Sequence, residues 1–173
     1  MILDTDFGPR EVHEKTYWHV VSTKGPFAMT FYNNVMVHKG ELASVSAMIQ
    51  AEPHLDSAQT GYSLSKMNDE KEILFERIRD NRYPSLPPRL KSFYVFDDYA
   101  LVERAMKEWF QNEARAVHEC RVLSISNTHK ADTVWLNCAQ NKWDECANNY
   151  WAGLMSEHPF PEIIVHGAYF GSS

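Results

Sequence analysis

An α+β domain, with a mixed or antiparallel sheet core and about three flanking helices, is the fold class this sequence predicts. Three observations carry it. β-favouring runs lie near 15–22, 91–96, 116–125 and 162–170. Apolar residues recur at helical spacing within about 69–83, 98–112 and 141–155. The strict strand–helix alternation of a parallel sheet is missing. A chain of 173 residues suits a single domain, 1–173, with a core of its own.

Residues 1–14 read as an irregular lead-in broken at Gly8-Pro9. The first strand, about 15–22, holds Tyr17-Trp18-His19-Val20-Val21-Ser22. Lys24-Gly25-Pro26 is a turn signal, and Phe27–Tyr32 and Val35–His38 are short strand candidates. Residues 41–51 mix helix formers with Ser and Val and predict a short helix that Pro53 ends. The polar stretch 53–68 reads as a loop able to cover a site. Asn68 or Asp69 caps the next helix, whose stripe is Leu74, Phe75 and Ile78, and Pro84 stops it.

Ser85 to Leu90 is a stiff, Pro-rich extended link. Lys91 to Phe96 is apolar on both faces, which predicts a central strand. Asp97-Asp98 caps a helix over 98–112. A strand follows at 116–125, with Val134-Trp135-Leu136 a weaker candidate. The late helix, 141–155, places Trp143, Ala147, Tyr150 and Leu154 on one face. The last strand runs over 162–170.

Composition excludes several classes. A formal net charge of −6 argues against broad electrostatic binding to a phosphate backbone. No apolar run approaches the 18 or so residues of a membrane helix, and the N-terminus lacks a signal-peptide pattern. Three scattered cysteines, Cys120, Cys138 and Cys146, do not form a disulfide framework, so a reducing cytoplasm is expected. Zinc-type Cys and His spacings, a Walker loop and a Gly-x-Gly-x-x-Gly fingerprint are all missing from the sequence, so no metal is expected.

The candidate site residues each have a structural alternative. His19 leaves a rigid strand beside apolar surface with two distinct ring nitrogens; otherwise it is a core histidine bonded to a carbonyl. Glu162 opens an apolar strand after Pro161 and can face a cleft, or be a solvated strand end. Arg89, on a stiff backbone, can fork onto a carboxylate or pyrophosphate, or form a structural ion pair. Tyr150 and Trp151, and Tyr94 on the expected central strand, offer rings for a planar ligand or for core packing.

Five features in order resemble a small bacterial and phage family of uncharacterised domains grouped with the ADP-ribosyltransferase-like fold. They are Tyr17-Trp18-His19-Val20, Phe75-Glu76-Arg77-Ile78-Arg79 with Tyr83-Pro84, Pro88-Arg89-Leu90-Lys91-Ser92, Tyr150-Trp151-Ala152-Gly153, and Pro161-Glu162-Ile163-Ile164 followed by Gly167. The resemblance spans about residues 17–167. It implies a split-sheet fold and an NAD-dependent transferase, a phage or bacterial effector, that modifies a macromolecular acceptor, with protein favoured over nucleic acid. It implies His19 on the ribose hydroxyls and Glu162 on the nicotinamide-ribose 2′-hydroxyl. Arg89 would then meet the pyrophosphate, and Tyr94, Tyr150 or Trp151 would stack on nicotinamide. A non-catalytic binding module and an NAD glycohydrolase are the alternatives on the same scaffold.

Overall fold

The computed structural model describes residues 1–5, 8–23, 41–43, 65–66, 68–111 and 113–171. The strand candidates at 27–32 and 35–38, and nearly all of the loop expected over 53–68, lie outside them. The chain is α+β, with three helices and antiparallel ladders among the described residues. It forms two compact units. One comprises Met1–Ala43, Tyr94–Ser126 and Gly167–Ser173; the other comprises Ser44–Phe93 and Asn127–His166.

The first unit begins with a hairpin, β1 (Ile2–Thr5) against β2 (Gly8–Glu11). This corrects the irregular lead-in. The pairing is not carried by an alternating apolar pattern, since Ile2 is exposed. It is anchored at its open end by backbone bonds between Met1 and Val12 and by a bridge from Val12 to Leu123. Val12, Leu123, Ala168 and Phe170 form a buried cluster against which Leu3 packs.

A four-stranded sheet follows, ordered β3-β6-β9-β4, from β3 (Tyr17–Ser22), β4 (Glu41–Ala43), β6 (Arg115–Val122) and β9 (Ala168–Gly171). Glu41–Ala43 is thus strand, not the start of a helix: it pairs with Phe170, Tyr169 and Ala168, and tertiary pairing overrides the local helix formers. The rest of the expected 41–51 helix lies outside the described residues. Asp98 caps α2 (Tyr99–Glu108) by accepting from the Ala100 amide, and Val102 and Ala105 turn inward. Trp18 meets Tyr99 edge-on at 5.7 Å, so α2 covers the sheet face opposite His19. Cys120 is fully buried on the His19 face, and burial pushes its thiol up to about 12.

In the second unit α1 (Glu70–Arg82) is capped by Asp69, whose carboxylate takes the Lys71 and Glu72 amides, as the sequence predicts. Phe75 and Ile78 are buried. The Pro-rich link turns into a short 3₁₀ segment at Arg89–Lys91. A three-stranded sheet has the order β5-β8-β7, from β5 (Phe93–Val95), of which Phe93 alone falls in this unit, β7 (Asn127–Asp132) and β8 (Pro161–His166). β5 is therefore an edge strand, and β8, buried from Glu162 to Val165, is central. β7 has the polar sequence Asn-Thr-His-Lys-Ala-Asp and shows no apolar alternation. Val134-Trp135-Leu136, expected as a strand, forms a 3₁₀ segment, Thr133–Asn137, whose first turn is fixed by the Asp132 side chain.

Asp132 is 0% exposed and binds the amides of Val134, Ser156 and Phe160 at 3.1, 2.8 and 2.9 Å. Burial alone would raise its pKa, but these amides outweigh it and hold the carboxyl below its usual range. Asp132→Ala leaves three amide donors, one buried and two partly buried, without their acceptor. We expect a loss of about 2–4 kcal/mol of stability, read from urea unfolding at pH 7. A loss near zero would show that water replaces the carboxylate.

The late helix is α3 (Trp143–Trp151). It ends earlier than 155 because Gly153, at φ 70°, supplies the left-handed cap. Cys146 is buried in this helix, and desolvation pushes its thiol up to about 12. The single strand expected over 162–170 is broken at Gly167 into β8 of this unit and β9 of the first. A Cβ on Gly167 would meet the Ser126 side chain and stand 2.8 Å from its Cα, so only glycine fits there.

Candidate functional site

Glu162 is the second residue of β8, and Pro161 before it needs no ladder donor because it opens the strand. Glu162 is paired in register with Ala131 of β7 and is 7% exposed. Such a carboxylate is costly to bury without partners, and two side chains supply them. Arg89 Nη1 donates to Glu162 Oε1 at 2.8 Å. The Tyr150 hydroxyl donates to the same oxygen at 2.7 Å and accepts from Arg89 Nη1. Arg89 Nε and Nη2 fork onto the two oxygens of Glu72 at 3.0 and 3.2 Å. Glu72, Arg89 and Glu162 together count two acids and one base, a formal −1 for these three residues.

Each member is placed by a different element. Glu72 and Glu76 lie one turn apart on α1 and therefore share a face. Glu72 takes the guanidinium of Arg89, and Glu76 takes its backbone N–H at 2.8 Å. Arg79 fixes Glu76 in turn at 3.0 Å. Arg89, 2% exposed, is thus gripped at both ends by one helix. Tyr150 projects from α3 and is 0% exposed, with the Phe75 ring edge-on at 5.7 Å and the Arg89 guanidinium 5.0 Å from its centroid. All of Glu162's bonded contacts fall on Oε1. Oε2 receives no hydrogen bond from the described residues, and the side chain keeps 9% of its surface exposed.

His129 of β7 joins the same neighbourhood. Its Nε2 lies 3.1 Å from the Tyr150 carbonyl, and its ring stacks on Trp151 at 5.7 Å and 27°. Burial lowers its pKa, while the Tyr150 carbonyl and the charge of Glu162 pull it back up; the net position is below the ordinary value. Trp151 is 1% exposed and donates its Nε1–H to the Phe75 carbonyl at 2.8 Å.

In the first unit His19 faces His118 across the β3–β6 ladder, on the side of the sheet that also carries Cys120 and Tyr169. The His19 and Tyr169 rings meet edge-on at 5.4 Å. Burial, with a smaller contribution from His118, brings the His19 pKa down to about 3; burial also lowers that of His118. Both imidazoles are neutral at pH 7. Tyr94, partly exposed, lies in this unit on β5.

The structure therefore gathers Glu162, Arg89 and Tyr150 into one bonded cluster, with Trp151 beside it. His19 and Tyr94 belong to the other unit. Glu72, His129 and His118 escaped the sequence reading. Glu72 left one signal: it precedes Phe75 by three residues, which puts an acid on the apolar stripe of α1. His129 left none, because β7 carries no recognisable period.

A family model described as "Protein of unknown function (DUF2441)" matches residues 12–169. No curated protein matches the chain.

Proposed function

The chain belongs to the DUF2441 family, and since that description assigns no activity, we propose from its own residues that it is an NAD-dependent ADP-ribosyltransferase acting on a macromolecular acceptor. The reading includes an ADP-ribosyltransferase-like fold. One observation carries it: Glu162 is a fixed, ion-paired carboxylate with a single oxygen left to offer. Arg89 and Tyr150 hold Oε1, so Oε2 is preorganised for one hydroxyl donor. In this reading that donor is the 2′-hydroxyl of the nicotinamide ribose, and the carboxylate offsets the positive charge that develops as the glycosidic bond opens.

His19, in the first unit, is by its depressed pKa a neutral hydrogen-bonding group and not an acid at pH 7. Arg89 is committed to Glu72, Tyr150 and Glu162, which makes it a positioning residue for Glu162 in this scheme. Among the three aromatic candidates Tyr94, of the first unit, is partly exposed, whereas Tyr150 and Trp151 are buried. With a net charge of −6, a protein acceptor is favoured over nucleic acid.

A second reading draws on the burial of Glu162 itself. An acid 7% exposed inside an ion-paired cluster is also what a structural glutamate looks like, and it supports a non-catalytic binding module. Incubation with labelled NAD and a cell lysate separates the two. Glu162→Gln keeps the side-chain shape and removes the charge. We expect it to lower nicotinamide release and acceptor labelling by about 100-fold or more. Equal labelling by both proteins removes Glu162 from the chemistry. No heat and no thermal protection on titration with NAD favours the binding module. Free ADP-ribose formed without any acceptor would show NAD hydrolysis instead.

A further inference from the structure

We infer that His129 takes the proton of the attacking nucleophile, so that the acceptor is a neutral, proton-bearing group such as a hydroxyl; the inference rests on the ADP-ribosyltransferase reading. β7 and β8 run antiparallel, with His129 opposite Ile164 and Ala131 opposite Glu162. Alternate residues share a face, so His129 and Glu162 leave the same side of the sheet one diagonal step apart, about 7–8 Å. Tyr150 ties them together: its hydroxyl binds Glu162 and its carbonyl binds His129.

That carbonyl fixes the tautomer. A carbonyl only accepts, so Nε2 carries the proton and Nδ1 keeps its lone pair. The stack on Trp151 holds the ring plane. Nδ1 receives no hydrogen bond from the described residues, and His129 is only partly buried. A neutral, oriented imidazole whose lone pair is open has the form of a general base. The charge of Glu162 favours the imidazolium that forms when the base accepts a proton.

The step balances. The bond from ribose C1′ to the nicotinamide nitrogen breaks, and neutral nicotinamide leaves with the electron pair. The acceptor oxygen forms the new bond to C1′, and its proton passes to His129 Nδ1 and then to water. Glu162 stays anionic throughout. A carboxylate acceptor needs no such base, which is why the arrangement selects a proton-bearing nucleophile.

The test compares wild type with His129→Gln over pH 5 to 9, following nicotinamide release and acceptor labelling from labelled NAD. We expect transfer to fall by about 100-fold or more in the variant with KM for NAD unchanged. The wild-type decline in rate toward acidic pH should vanish with it. A variant with the wild-type rate and the wild-type pH profile overturns the inference and leaves the ADP-ribosyltransferase reading standing. No nicotinamide release by wild type overturns that reading, and the inference with it. A readout independent of activity is ¹⁵N NMR of the wild-type imidazole. Protonated Nε2 with bare Nδ1 is expected; the opposite tautomer overturns the inference even if the variant folds poorly.

Discussion

Arg89→Ala is expected to lower stability by about 3–5 kcal/mol, a large share of the roughly 5–15 kcal/mol margin of a folded domain. The guanidinium is 2% exposed and stands between two acids whose side chains are 4% and 9% exposed. Its removal takes the guanidinium from between two buried like charges, Glu72 and Glu162. The Tyr150 hydroxyl still donates to Glu162, and Glu76 keeps Arg79 and the backbone amide of residue 89. The loss is one of uncompensated charge rather than of a favourable pair. Combining Arg89→Met with Glu72→Gln and Glu162→Gln removes all three charges, and it should recover most of the lost stability. Urea unfolding at pH 7 measures both. A single Arg89→Ala variant within about 1 kcal/mol of wild type would mean that water reaches the cluster.

Acid should also unfold the chain through His19. The sign follows from where protons bind. An unfolded histidine has the ordinary pKa of 6.5, whereas folded His19 sits at about 3. Between those values the unfolded chain holds more protons, so stability rises with pH across the window. The contribution is complete above 6.5 and is lost as pH falls toward 3, up to about 5 kcal/mol in all. His118, shifted in the same direction by burial, adds to the slope. Unfolding midpoints at pH 7.5, 6, 5 and 4 should fall steadily, with a slope of up to about 1.4 kcal/mol per pH unit for each histidine. His19→Gln should flatten the profile. An unchanged slope in that variant would show that other groups carry the acid sensitivity.

Much of the fold was legible where signals were local. Asp69 and Asp98 sit where capping requires them, and the inward residues of α1 and α2 follow helical spacing. β3 read correctly because Val, Tyr and Trp favour a pleated surface, and β6, expected over 116–125, runs over Arg115–Val122. What escaped depends on partners far along the chain. The Ile2–Glu11 hairpin is held by backbone bonds that composition does not announce. β7 is polar because one of its faces carries His129 toward α3, so its strand character lies in its pairing with β8. Gly167 looked like a continuation of an apolar strand, and only the proximity of Ser126 shows why the chain turns there.

The candidate site divides the same way. Glu162 and Arg89 stood out by position, Pro161 and Pro88 marking stiff backbone before each. Their mutual bond, the tyrosine that bridges them and the glutamate that completes the cluster are products of folding across 73 residues of separation. Arg89 was read with two outlets, a carboxylate or a pyrophosphate, and the geometry gives it the carboxylates.

The two sealed thiols give each half of the chain its own clock. Cys120 belongs to the first unit and Cys146 to the second, and desolvation keeps both protonated and unreactive at neutral pH. Alkylation at either can proceed only through an opening that lets reagent in, so the two capture rates time the openings of the two units separately.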